Sequence, residues 1–357
     1  MTPTLKPNRK ATLNDVARHA GVALSTASAA LNGKSGKYAV SPEKMAAVMR
    51  AVEALSFEVN PHAKRLVTGR DSDTIGLFTL DFDTGVGMQK LREIQYLLVR
   101  EGYNVPIYST AGPDIGSSMT RSRLMASLRL QQPRAIVSAS NEDEVLPELR
   151  KFVDDGGILV MYDRETSFDC DKVLFDRQQN TYEATAYLLK LGHRSIGFYH
   201  DGNQSVSRQI RFQGFTRALN EYGGYTREEW LVNSGTYYTR TIQEGGGELL
   251  ARTFLGWTER PTAMVVLNDA SASAFVSEIQ RAGVRVPEDL SVVGHDNLPI
   301  GRIVAPRLST VRHPVEEISS EVTHLLLSRL SGHYLGPSRT VIVQGHLIER
   351  ESAMQVG

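Results

Sequence analysis

Apolar residues along this chain change rhythm near residue 74. Before it they recur at helical spacing. Val16 and Ala20 fall one turn apart, Val22, Ala27 and Leu31 line a second short segment, and Met45, Val48, Met49, Val52 and Leu55 mark a third. Thr12 with Asp15 three residues on has the form of a capping box, and Gly21 suits a left-handed turn between the first two helices. Ser41-Pro42-Glu43 offers an N-cap, a first-turn proline and an acid that complements the helix dipole. Beyond residue 74, β-branched runs alternate with helical stretches. Strands are expected at 75–80, 104–108, 135–138, 158–162 and 173–175, then at 195–199, 230–232, 263–267, 290–293 and 340–346. Helices are expected at 89–101, 118–130, 180–191, 211–222 and 270–282. The alternation predicts parallel sheets with helices on both faces, and so many strands divide better into two lobes than one.

Two short helices broken at a glycine have the shape of a helix-turn-helix. Charge strengthens that reading. The 357-residue chain has zero formal net charge, yet residues 1–70 hold eleven Lys and Arg against four acids, leaving the remainder with a matching acidic surplus of seven. A basic head on an acidic body is the layout of a phosphate-binding module joined to something else. Cys170 is the single cysteine, so no disulfide framework exists within the chain. No apolar stretch approaches membrane-spanning length, and the first ten residues lack a secretion core, so a cytoplasmic location is expected.

The order of these segments resembles the lactose/galactose repressor (LacI/GalR) family of bacterial transcription regulators. The family pattern D-V-A-x-x-A-G-V-S-x-x-T-x-S-x-x-L-N is met at most positions from Asp15 to Asn32, and the hinge pattern N-P-x-A-x-x-L-x-T-G-R from Asn60 to Arg70. Further matches are Leu191-Gly-His-Arg194, Arg211-Phe-Gln-Gly-Phe215, Asn268-Asp269, the run from Val286 to Asp296, and Pro306-Arg-Leu-Ser-Thr310. The resemblance implies an all-α helix-turn-helix headpiece over 1–59, a hinge helix or linker over 60–72, an effector and dimerisation domain over 73–350 and a short tail over 351–357. The effector domain would have two Rossmann-like lobes, like a type I periplasmic binding protein.

For DNA, the resemblance implies phosphate contacts from Thr26 and Ser28 and base contacts from Leu24, Ser25 and Ala29. Within the hinge, Ala63, Lys64 and Leu66 match the helix that places a leucine wedge in the minor groove. The chain departs from the family at two positions: Ala23 stands where Ser is common, and Ala29 where Arg is common. The first removes an N-cap, a loss of about 1 kcal/mol. The second removes a bidentate grip on guanine, leaving apolar contact with thymine methyls and heavier reliance on the hinge. The loop after Asn32 is long, like that of the fructose-repressor branch, and its Lys34 can reach DNA.

For the effector, the resemblance implies Arg211, Asn268 and Asp296, with Tyr237 as an aromatic platform. Asp81, Asp83 and Arg164 stand at predicted strand ends facing the same cleft. Arginine forks and carboxylates suit a sugar or sugar phosphate better than a nucleobase, which is the alternative ligand. A dimer on pseudo-palindromic double-stranded DNA is expected, acting as a repressor of carbohydrate genes, with no membrane partner, cofactor or metal. Two rivals compete with this reading. An enzyme would need a nucleophile elbow, a phosphate loop or a metal-spaced His/Cys cluster, and none is present. His193, after Gly192, reads as a helix cap. A cytoplasmic sugar-binding protein would share the body but not the basic head.

Overall fold

A computed structural model describes residues 11–31, 40–55, 57, 73–79, 85–109, 133–139, 145–200, 206–233 and 240–356. The chain divides into two units, residues 1–72 and 73–357.

The first unit is helical: α1 (Leu13–Ala20), α2 (Leu24–Leu31) and α3 (Pro42–Ala54). Its start and turn follow from the sequence. Asp15 N–H donates to Thr12 Oγ1, and Thr12 N–H donates back to Asp15 Oδ2 at 2.9 Å. Gly21 takes φ 67°, and the Val22 N–H reaches back to the Ala17 carbonyl. Val16, Ala17, Ala27, Ala30, Val48 and Ala51 form the buried centre. Small residues let the three helices approach closely. Met49, expected inside, is 52% exposed. The inner stripe of α3 runs through Val48, Ala51 and Val52 instead, because Met49 lies a full helical step from Val48.

The second unit consists of two α/β lobes. In chain order its strands are β1 (Ile75–Thr79), β2 (Ile107–Ser109), β3 (Ala135–Ser138), β4 (Ile158–Tyr162), β5 (Asp171–Phe175), β6 (Ile196–His200), β7 (Leu231–Asn233), β8 (Ala263–Leu267), β9 (Ser291–Asp296), β10 (Ser309–Arg312), β11 (Thr340–Val343) and β12 (His346–Ile348). Its helices are α4 (Gly85–Arg100), α5 (Leu146–Asp154), α6 (Arg177–Lys190), α7 (Val206–Tyr222), α8 (Arg240–Gly256), α9 (Asp269–Arg281), α10 (Ile300–Ile303) and α11 (Val315–Leu330). One sheet runs β11-β5-β4-β3-β1-β2, the other β12-β10-β9-β8-β6-β7. All pairings are parallel except β10 with β12.

Alternate residues of each strand feed cores on opposite faces, as doubly covered parallel sheets require. In the first lobe, Leu77, Val137 and Val160 pack beneath α4 and α11, while Phe78, Ile136 and Met161 pack on the other side with Leu149 of α5. The second lobe repeats this, with Phe198 and Val265 under α6 and α7, and Tyr199 and Val266 under α8 and α9.

The chain passes between lobes three times, after β5, after β10 and after β11. The expected single strand 340–346 is therefore two strands in different lobes, broken at the third crossing. A Cβ at Gly345 would overlap the Arg312 carbonyl oxygen, so no larger residue fits there. The last residues are built into the second lobe: Ser352 Oγ donates to the Val292 carbonyl, and Val356 N–H to that of Leu191. His193 is not a side-chain cap. Its ring lies 2.9 Å from Thr262 Oγ1 and 3.2 Å from the Met354 carbonyl, pinning this C-terminal segment. Among the described residues, no helix is long and apolar enough to cross a membrane.

Candidate DNA-binding and ligand sites

On α2, Ala27 and Ala30 face inward, Leu24 is 46% exposed, Ser25 is exposed, and Thr26, Ser28 and Ala29 are partly exposed. The outer face is thus one leucine, hydroxyls and a methyl, with no charge on the helix. Ala23 accepts the first helical hydrogen bond from Ala27 N–H but has no side-chain oxygen to cap with. Across the described helices Arg18, Lys44 and Arg50 are matched by Asp15, Glu43 and Glu53. The basic surplus of the head lies in the segments around them. Lys34, Ala63, Lys64 and Leu66 fall outside the described residues.

In the second unit, charged groups gather where the C-terminal ends of the strands meet the crossings. This is the position at which open parallel sheets bind ligands. Of the residues expected there, Asp81, Asp83 and Tyr237 lie outside the described residues. Arg211 and Asp296 stand near enough for the Arg211 charge to act on the Asp296 carboxyl, without an ion pair between them. Arg211, on α7, donates to Ser207 Oγ at 3.2 Å, and its charge acts on Asp296, His295 and His313. Burial pushes the Asp296 carboxyl above its usual range, with Arg211 opposing.

Asp296 has φ 100° and Asn297 φ 56°, a left-handed pair uncommon for residues with side chains. Neighbours hold that turn. Buried Asp269 accepts from Leu298 N–H at 2.8 Å and Thr310 Oγ1 at 2.7 Å, while Arg350 donates to Asn297 Oδ1. Asn268 serves α9 as its N-cap, its Oδ1 accepting from Ser271 N–H at 3.1 Å. Arg164 is half-buried in the loop after β4, next to Asp163.

Four residues absent from the sequence reading belong to this cluster. Lys90 of α4 is ion-paired with Asp163 and lies 3.0 Å from His313 Nε2. Arg177, at the start of α6, donates to the Asp163 carbonyl at 3.1 Å. His313 packs on the Phe175 ring with centroids 4.1 Å apart. Burial works to raise the Asp163 carboxyl, but Lys90, His313 and Arg177 outweigh it and hold it low. Burial lowers Lys90 and His313. One signal was available: Lys90 sits in the apolar stripe of α4 beside Leu91, Ile94 and Leu98, where a lysine is exceptional without a buried partner.

A helix-turn-helix head joined to a two-lobe α/β domain has the layout of a DNA-binding regulator. The model for bacterial regulatory proteins of the lacI family matches residues 12–60, and that of the periplasmic binding protein-like domain residues 185–353. The HTH-type transcriptional repressor PurR of Vibrio vulnificus is 28% identical over 320 residues, spanning 90% of this chain and 92% of its own. A structure of the transcriptional regulator CelR with cellobiose has TM-score 0.67 at 24% identity, covering 96% of this chain and 99% of that one. The lac repressor dimer bound to operator and the anti-inducer ONPF has TM-score 0.77 at 20% identity, covering 97% and 100%. The head of the chain thus carries the DNA-binding domain of the lacI family of bacterial regulatory proteins, and its body the periplasmic binding protein-like domain.

Proposed function

We propose that this chain binds a pseudo-palindromic operator as a homodimer and is controlled by a sugar or sugar phosphate held between its lobes. The carrying observation is the gathering of Arg211, Asp296 and Asn268 at the strand ends of the second lobe, where the Arg211 charge acts on the Asp296 carboxyl, since a guanidinium fork and a carboxylate together suit a hydroxyl-rich ligand. The cellobiose complex of the structurally similar CelR supports the same class. On the DNA side, Leu24, Ser25 and Ala29 read bases, Thr26 and Ser28 hold phosphates, and Lys34, Ala63, Lys64 and Leu66 add backbone and minor-groove contacts. With no long hydrogen-bonding side chain on α2, direct readout is weak and favours thymine methyls. Ligand binding alters the angle between lobes at the three crossings, and the hinge over 60–72 passes that change to the head. Coupling of this kind amounts to about 1–3 kcal/mol.

A nucleobase effector is the second reading, favoured by the relatives named PurR. Calorimetric titration with a neutral hexose, a hexose phosphate and a purine base separates the two, followed by operator binding with whichever ligand binds. Binding of the purine base alone overturns the sugar reading. Removal of residues 1–70 is expected to abolish DNA binding and leave ligand binding intact.

A further inference from the structure

The crossings lie at one edge of each sheet, at β5 and β11 in the first lobe and at β10 and β12 in the second. The lobes also touch away from that edge. Helix α4 follows β1, which stands three strands beyond β5. Its first residue is Gly85, and against it lies the side chain of Leu298, from the second lobe. A Cβ on Gly85 would stand 2.6 Å from Leu298 Cδ2 and 3.1 Å from Cδ1. Leu298 comes two residues after Asp296, where β9 ends.

Both sides of this contact are shaped for it. Gly85 does not take the left-handed backbone that calls for glycine, and glycine is a poor helix former. What the missing side chain provides is room for Leu298. On the other side, Leu298 is presented by a fixed turn. Its N–H donates to buried Asp269 Oδ2 at 2.8 Å, and its carbonyl accepts from Gly301 N–H at 3.1 Å. Before it, Asn297 is held by Arg350, and after it, Pro299 restricts the backbone. The leucine is thus a knob on a braced support, and the glycine is its seat. An apolar side chain in such a seat gains by leaving water and by close contact.

We propose that Leu298 seated on Gly85 is an apolar latch that holds the two lobes at one angle, and that the turn 296–298 ties this latch to Asp296. The crossings join the lobes along one edge only, so they act as a hinge. A contact three strands from that hinge resists its opening with more leverage than one beside it. Because Asp296 and Leu298 share one braced turn, a group that displaces Asp296 also lifts the leucine from its seat. The latch rests on the fold of the second unit alone. Its control by a ligand rests in addition on the reading of Asp296 as an effector residue.

The test is single-molecule fluorescence transfer in the full chain between dyes on Asp155→Cys and Glu259→Cys, diluted into excess unlabelled chain. Both positions are exposed and precede β4 and β8, at the lobe ends away from the cleft, while Cys170 is buried. Melting temperature is recorded for each variant. Leu298→Ala is expected to raise the ratio of open to closed lobes about 5- to 30-fold. Gly85→Leu fills the seat and is expected to shift the distribution further. Gly85→Leu combined with Leu298→Ala moves the knob to the other lobe and is expected to restore the parent distribution. Damage unrelated to a shared contact would instead add. A parent-like distribution in both single variants overturns the latch, and so does a combined variant that shows the sum of the two shifts. D-glucose, D-glucose 6-phosphate and adenine are then added to the parent and to Leu298→Ala. A ligand that binds is expected to shift the parent and not the variant. Binding without a shift overturns ligand control and leaves the latch in place, and binding of none of the three removes the effector reading instead.

Discussion

The Gly345 N–H donates to Asn180 Oδ1 at 3.0 Å, tying the third crossing between lobes to the first turn of α6, which follows the first crossing. Alongside, Asp176 N–H donates to the Val343 carbonyl at 3.0 Å. The second crossing is locked in as well, because the Arg312 carbonyl occupies the space that a Gly345 side chain would need. Three strands of chain therefore meet in one contact. A change of angle between lobes must pass through it.

Gly345→Ala is expected to force these segments apart and lower unfolding stability by about 1–3 kcal/mol, the usual cost of overpacking. Urea unfolding measures the loss. Stability equal to the parent's would show that the crossings slide freely past the added methyl.

Arg211→Ala and Asp296→Asn are expected to weaken effector binding by at least about 1.4 kcal/mol, a tenfold rise in Kd. Operator affinity without effector should stay close to that of the parent. Arg211→Lys should fall between, since an ammonium keeps the charge but not the planar fork. Fluorescence anisotropy with labelled operator, with and without ligand, separates the two effects. Loss of operator binding without ligand would assign these residues to the fold or the dimer.

Leu24→Ala should reduce affinity for a selected operator by about 1–3 kcal/mol with the salt dependence nearly unchanged, because it removes a base contact and no phosphate contact. Replacing thymine by uracil at the contacted position should reproduce most of that loss in the parent and little in the variant. Leu66→Ala should cost specific sites far more than random DNA, as a minor-groove wedge requires. Equal losses on both would show that Leu66 does no more than pack within the hinge.

His295 gives a pH signature. It is buried, and burial first, then the Arg211 charge, pushes its ring down to about 3. Unfolded, the ring titrates near ~6.5, so the unfolded chain takes up a proton that the folded chain refuses. The resulting stability is complete above that pH and is lost as pH falls through the window towards the folded value. Asp269 and Asp296, both raised by burial, work in the opposite direction. The difference between parent and His295→Gln isolates the histidine. Between pH 6.5 and 5 the variant should lose about 1.5 kcal/mol less than the parent. Parallel stability curves would mean that the ring is protonated in the folded protein.

Much of this architecture is visible in local pattern. The capping box at Thr12, the turn at Gly21 and the strands at 135–138, 158–162 and 263–267 all come from short-range chemistry that the rest of the fold does not override. The helix Val315–Leu330 carries an apolar period through Ile318, Val322, Leu325 and Leu326, yet it was not among the helices expected from the sequence. Its place was not legible. It follows a second-lobe strand yet packs in the first lobe, because the chain crosses back at His313. The site divides in the same way. Arg211 and Asp296 were found through motif resemblance, whereas Lys90 and Asp163 come from distant segments that the first lobe's sheet brings together, and His313 joins them from the second crossing.

The most direct test of the whole account is selection of genomic fragments by the purified full chain, run with and without a neutral sugar that binds it. The account predicts enrichment of one pseudo-palindrome, and a change in that enrichment when the sugar is present. No enriched sequence under either condition would contradict the claim that this chain is an effector-controlled, operator-specific repressor.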